Sequence, residues 1–548
     1  MPPPQQRISA HQEVVESFGP AFARTTAFWW LSLLSLLVGL LVGFIGWLHI
    51  YVVYVMNSAW IQNNFQGQLS GFFTGRVWYI GVVAGAGFTN GLIQVIPFFR
   101  YPRRLTYLFG EIKSLHAHWE AAPSIILANT IALGLGASIG PEAAIAAMGA
   151  AVASFMSSFE VASTRCRLST RKRRMFVLVG MAGAISSVFP APPIAVLLVY
   201  EIFLVSEEHF EKSASNDTRD YLEFIALSGL CASVSYAVLH AMIIAVNEPY
   251  KTFSDGLKPN NTPFAGAAPA LGMLAGLIGS ALSYLFLFCQ LVFSRVALRI
   301  KRKIDTFGPS SFSLGRLLLP VIGGAMSGII GWICPLTIGS GLEPLISLSE
   351  EINITPSETP VIFASSLLKI VSLALCLSTG MTGGIIYPLF FIGGSMGTAI
   401  SAYTGWDRLT LTASLSASAL ASHIPAPIAL WGMAIVMFNG GVGDDWSTWL
   451  AVIIAVVVGC SLGVKEDIFD LVSLAGRKRG STRTSRRNTR RNTIQRIAVL
   501  EHQLYLNTGI GDILDDELDE KDEIEGDAEG EGSIVTDKTK TKLPELSK

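Results

Sequence analysis

From Thr25 to Gly75 the chain carries no Asp, Glu, Lys or Arg, and a second uncharged run extends from Leu409 to Gly443. Runs of this length exceed the ~20 apolar residues that cross a bilayer as a helix. The apolar pattern predicts spans at residues 28–56, 78–98, 122–157, 176–205, 222–246, 266–293, 316–338, 360–403 and 409–464. Several are too long for one crossing and are cut by Gly and Pro, so pairs of broken helices are expected rather than uniform rods. The expected fold class is an all-α polytopic membrane protein. The first run is too long for the core of a cleavable signal, so it reads as a true span.

Composition agrees with that pattern. Hydrophobic residues make up 51% of the 548 and charged residues 15%, against about a quarter charged in a soluble domain. The net charge of -1 points to no partner, and no nucleic acid is expected. Basic residues cluster at Arg165–Arg174 and Arg295–Lys303, each between two predicted spans, and again after residue 476. Basic loops stay cytosolic, so these segments and both termini are expected there. The 247–265 loop, with the sequon Asn260-Asn261-Thr262, would face the opposite side. Residues 1–26 read as a cytosolic segment with a short surface helix over Ile8–Phe22. Residues 27–466 read as the membrane domain, in repeats at 27–246 and 266–466. Residues 467–548 read as a disordered tail, basic over 477–496 and acidic over 512–531. Six scattered cysteines form no CxxC pair and imply no disulfide framework or metal cluster.

Two interruptions carry the candidate chemistry. Gly134-Leu135-Gly136-Ala137-Ser138-Ile139-Gly140-Pro141-Glu142 lies in an apolar region, and Glu142 is the only charged residue between Glu120 and Glu160. A carboxylate within a membrane is costly and by default functional. Ser138 is a good N-cap type, Pro141 suits a first helical position, and Glu142 suits the positive end of the dipole. Gly383-Gly384-Ile385-Ile386-Tyr387-Pro388 repeats the device. Broken backbone at membrane depth survives only when buried in protein or lining a wet cavity. Two helix starts meeting there would offer N–H groups to an anion without a full positive charge. A further pair, Phe189-Pro190-Ala191-Pro192 and Ile424-Pro425-Ala426-Pro427, lies downstream of each break. Interrupted segments in corresponding places of two halves point to a site at the repeat interface.

These four pieces, in order and spacing, resemble the chloride channel and chloride/proton antiporter (CLC) family over residues 25–465. Gly136–Gly149 resembles its Gly-Lys/Arg-Glu-Gly-Pro helix start, and Phe189–Pro192 its Phe-Asn-Ala-Pro. Ser378–Pro388, with Gly393–Gly397 after it, resembles its Ser-Gly-x-x-Gly-Gly-x-Phe-x-Pro segment. Ser422–Pro427 resembles its last small-residue break. The resemblance implies two inverted repeats and a homodimer with one pore per subunit. It implies anion contacts at Ser138, Ile139, Gly140, Pro141 and Glu142, where Pro141 has no N–H to give, and at Gly384, Ile385, Ile386 and Tyr387. The family's pore-lining tyrosine falls near Trp446, whose indole N–H can donate.

Three departures bear on mechanism. The family's gating glutamate aligns with Ile139, with Glu142 three positions on, on the same helix face. Its internal proton-relay glutamate aligns with Ile202, next to Glu201. Its Gly-Ser-Gly-Ile-Pro segment has no counterpart before residue 120, although Gly339-Ser340-Gly341-Leu342-Glu343-Pro344 is similar in the other half. Paired cytosolic nucleotide-binding modules are not expected in so short and charged a tail. The expected function is passive or gated anion conduction, chloride by default, with no cofactor. The alternatives are chloride/proton antiport through Glu142 and Glu201, and a non-conducting scaffold acting through its tail. An enzyme is not expected, since the eight histidines show no metal spacing beyond His116-x-His118.

Overall fold

A computed structural model describes residues 20–60, 72–73, 75–96, 119–163, 170–189, 191–205, 218–246, 267–306, 314–350, 354, 357–438 and 446–463. The surface helix before Pro20, His116 and His118, the sequon, Asp444, Asp445 and the tail after residue 463 lie outside the described residues. The chain divides into two compact units, Met1–Thr484 and Ser485–Lys548, and the second lies wholly outside them.

The described elements are helices, in an order that repeats. The first half runs α1 (Pro20–Trp60), α2 (Tyr79–Val95), α3 (Ala122–Gly134), α4 (Glu142–Ser163), α5 (Thr170–Ser186), α6 (Pro192–Val199) and α7 (Thr218–Val246). A 3-10 turn, Trp119–Ala121, precedes α3, and a π-turn, Tyr200–Val205, prolongs α6. The second half runs α8 (Ala268–Asp305), α9 (Leu314–Ile333), α10 (Leu342–Glu350), α11 (Thr359–Ser378), α12 (Ile386–Thr404), α13 (Arg408–Ala421), α14 (Pro427–Phe438) and α15 (Trp446–Ser461). The series α3, break, α4, α5, Pro-Ala-Pro, α6 thus recurs as α11, break, α12, α13, Pro-Ala-Pro, α14.

Five helices are long and apolar enough to cross a membrane, and seven shorter apolar stretches run 10–17 residues among the described residues. The protein is an integral, multi-pass membrane protein. The interruptions explain the short helices: 122–157 divides at Gly140-Pro141, 360–403 at Gly383-Gly384, and 176–205 at the first Pro-Ala-Pro. The basic cluster at Arg295–Lys303 is not a loop. It forms the last turns of α8, where Arg302 and Lys303 complement the helix dipole.

Small residues let these helices approach closely. A Cβ on Gly149 of α4 would stand 2.2 Å from the Gly180 carbonyl oxygen of α5, and one on Gly180 would stand 2.3 Å from that of Gly149. Serines stitch α13 into its surroundings. Ser416 donates to Phe390 O at 3.0 Å, Ser418 to Ala275 O at 2.9 Å, and Ser422 to Ser280 Oγ at 3.0 Å.

Candidate functional site

The two Gly-rich breaks meet. Gly140 and Gly384 pair antiparallel, each N–H donating to the other's carbonyl at 2.8 Å. Neither break has a helix of its own to satisfy its backbone, and buried peptide groups must find partners. At this crossing they find one another.

Glu142 opens α4 and lies beneath the crossing, 2% exposed. Its Oε1 accepts from the backbone N–H groups of Ile386 and Tyr387, the latter at 3.2 Å. These are the first two residues of α12, whose unpaired N–H groups and dipole favour a negative charge. Oε2 has no partner among the described residues. A Cβ on Gly140 would stand 2.1 Å from Oε2, and one on Gly384 2.5 Å from the carboxyl carbon. Glycine at both positions is what admits the carboxylate. The obstructed atoms are the end of a flexible side chain, so Gly384→Ala should expel the carboxylate rather than unfold the protein. Its anion flux should lose pH sensitivity, as Glu142→Gln should. A wild-type pH profile in Gly384→Ala liposomes would contradict this.

The first break uses its N–H groups differently from expectation. Ile139 N donates to Ala137 O at 2.9 Å and Gly140 N to Gly384 O. Each N–H carries one proton, so neither is left to face an anion, and Gly384 N is occupied in the same way. Ser138 is fully buried but caps nothing; its Oγ has no partner among the described residues. Pro141 precedes the helix, and its carbonyl accepts from Ile145 N at 3.1 Å. Ile139 is fully buried against Gly383, where a Cβ would stand 2.4 Å away. Ile385 sits just before α12 as its N-cap. The N–H groups of Ile386 and Tyr387 converge on one acceptor, and Glu142 holds them.

The first Pro-Ala-Pro break joins this site. Tyr387 Oη donates to Val188 O at 2.9 Å, and its ring lies 5.0 Å from that of Phe189. The second meets a carboxylate of its own. There Glu201, in the π-turn after α6 and 7% exposed, accepts from Ile428 N at 3.1 Å and Ala429 N at 2.8 Å. Glu201 thus caps α14 as Glu142 caps α12: each carboxylate comes from the first half and each helix start from the second. Trp446 is not brought to either place. It is the first residue of α15 and 81% exposed, whereas a donor to a dehydrated anion has to be buried beside it.

The sequence reading missed four polar residues that hold the site. Asn90, Gln94, Asn129 and Lys369 all contact the breaks or the loop behind them. Lys369 of α11 is fully buried; its Nζ donates to Thr337 O at 2.9 Å and Gly339 O at 2.5 Å, and lies 5.6 Å from the Phe391 ring centroid. Gly339 N in turn donates to Gly136 O at 3.0 Å. Ser340, in the segment similar to Gly-Ser-Gly-Ile-Pro, accepts from Leu342 N at 3.2 Å and so caps α10. The available signal was an amide or ammonium in an otherwise apolar helix: Asn90 and Gln94 in α2, Asn129 in α3 and Lys369 in α11.

Residues 101–463 match the family model described as voltage gated chloride channel. The chain belongs to that family. It is 25% identical over 313 residues to the chloride channel protein CLC-e of Arabidopsis thaliana, covering 57% of this chain and 40% of that one. It is 24% identical over 383 residues to the putative ion-transport protein YfeO of Salmonella newport, covering 70% and 78%. Among solved structures it is similar to a slow cyanobacterial Cl-/H+ antiporter, with TM-score 0.57 and 16% identity over 82% of this chain and 99% of that one. At that identity the likeness speaks for the fold.

Proposed function

We propose that this protein conducts small anions, chloride by default, across a membrane by a passive or gated route, with Glu142 as the gate. The observation that carries the reading is the Glu142 carboxylate on the N–H groups of Ile386 and Tyr387. A helix N-terminus that holds a carboxylate in a buried site suits a small inorganic anion equally well. The two cannot occupy one pair of donors, so the anion enters when the carboxylate leaves. Glu142 does this from three residues beyond Ile139, the position of the family's gating glutamate; Ile139 lies in the break before α4, so the two share no helix face and Glu142 reaches α12 from the first position of its own helix. In this reading the protein is a homodimer with one such pathway per subunit.

Antiport is the second reading, favoured by the buried Glu201 carboxylate at the start of α14. Purified protein in liposomes distinguishes the two. Conduction predicts chloride flux without uphill proton movement, and Glu201→Gln within about twofold of wild type. Chloride-driven proton accumulation that Glu201→Gln abolishes would replace conduction with antiport, and no anion flux under any gradient would end both readings.

A further inference from the structure

The second break owes its shape to side chains of the first half. Gly380 O accepts from Gln94 Nε2 at 2.8 Å, and Thr382 N donates to Asn90 Oδ1 at 3.3 Å. Both residues lie on α2. Thr382 O accepts from Asn129 Nδ2 of α3 at 2.9 Å, and the same nitrogen donates to Gly140 O at 3.1 Å. Asn129 is therefore the side chain that grips both breaks, one carbonyl from each half of the chain. Because both partners are carbonyls, only the amide nitrogen can face them, which fixes the orientation of the group.

The rest of the environment shows what this costs and what it secures. Asn129 is fully buried, and its Oδ1 has no partner among the described residues. A buried acceptor left unmatched is unfavourable, so the residue stabilises only through its two donated bonds. Gly140 O is already the acceptor for Gly384 N, so the Asn129 amide completes its second lone pair. Asn90 supports the same joint, donating to Ala128 O at 3.0 Å, next to Asn129 in the chain. Residues 380–384 therefore have no ladder of their own, and these amides set where Ile386 and Tyr387 point. A shift of that backbone by a fraction of an ångström changes the fit of a dehydrated ion, because preorganised donors act only at the right distance.

We propose that Asn129 is the positioning residue that locks the two breaks together and so sets the anion preference of the site; the preference rests on the functional reading above, while the lock does not.

Two measurements test it on full-length protein. In Asn129→Ala, deuterium uptake by the backbone of residues 380–387 should rise at least tenfold in rate, with α15 at its wild-type rate. In liposomes the ratio of chloride to nitrate flux should change at least threefold. Thr130→Val, which removes the hydroxyl bound to His49 Nδ1 and Ile126 O on the same helix, should leave both readouts unchanged. Asn129→Ser keeps one donor and should fall between wild type and Asn129→Ala; it carries the test if the alanine variant does not fold. Unchanged exchange over 380–387 in the folded variants, or an equal rise throughout the protein, would overturn the lock. Raised local exchange with an unaltered flux ratio would overturn the link to anion preference. Raised local exchange in a protein that moves no anion would retain the lock and refute the transport reading alone.

Discussion

Glu142→Gln should raise chloride flux at neutral pH by about tenfold or more and flatten its dependence on pH. The wild-type carboxylate accepts two backbone N–H bonds at the positive end of α12. Charge-assisted bonds are worth about 1.5–3 kcal/mol each, and a charge at a partly buried helix end up to about 2 kcal/mol. Glutamine keeps the shape and one acceptor but loses the charge. A loss of about 1.4 kcal/mol is already a factor of ten in occupancy. The sign with pH follows: protonation removes the same charge, so wild-type flux rises as pH falls, while the glutamine variant has nothing there to protonate. Stopped-flow or electrode measurement of chloride efflux from liposomes at several pH values gives both numbers. Wild-type rates with a wild-type pH profile would leave Glu142 as a helix cap and no more.

Lys369→Met should lower the apparent melting temperature in detergent by about 5 °C or more and reduce flux. The ammonium holds the carbonyls of Thr337 and Gly339 and faces the Phe391 ring. Among the described residues it has no carboxylate counter-charge. Methionine has a similar length and no donor, so two buried carbonyls lose their partner at about 1–3 kcal/mol each, partly offset because a charge no longer has to be buried. Lys369→Arg has the charge but a larger, planar head in a space bounded by Gly341, where a Cβ would stand 3.4 Å from Lys369 Cε; it should recover part of the loss at most. The loop at 337–339 is tied to Gly136, so the effect should reach the first break and appear in flux. A fluorescence melting curve checks stability, and unchanged melting with unchanged flux would remove Lys369 from the support of the site.

Much of the architecture was legible because it is local. Hydrophobic runs without charge, cut by Gly140-Pro141 and Gly383-Gly384, are properties of neighbouring residues, and they located the helix starts at Glu142 and Ile386 to within a few positions. The repeat was legible for the same reason. The basic residues after Phe293 misled on one point: they read as a loop, but charge at a helix end is compatible with more helix, and α8 continues to Asp305.

The partners of the site were not legible. Oε1 of Glu142 meets N–H groups of residues 386 and 387, and Asn129 meets the carbonyl of residue 382. No spacing rule connects positions so far apart, since the contact exists only after two helical repeats have packed. The same holds for Trp446, where a local alignment suggested a pore position and the packing of α15 leaves the ring on the outside. By itself the sequence determined the membrane class, the repeated order and the presence of two backbone interruptions with a carboxylate beside one. The tertiary structure decided that this carboxylate occupies the opposite helix start, that Gly140 N is spent on the crossing and Ile139 N on Ala137 O, and that Asn129 and Lys369 hold the breaks and the loop behind them. A helix start offers its N–H groups wherever it is formed; which group takes them depends on what folding carries there.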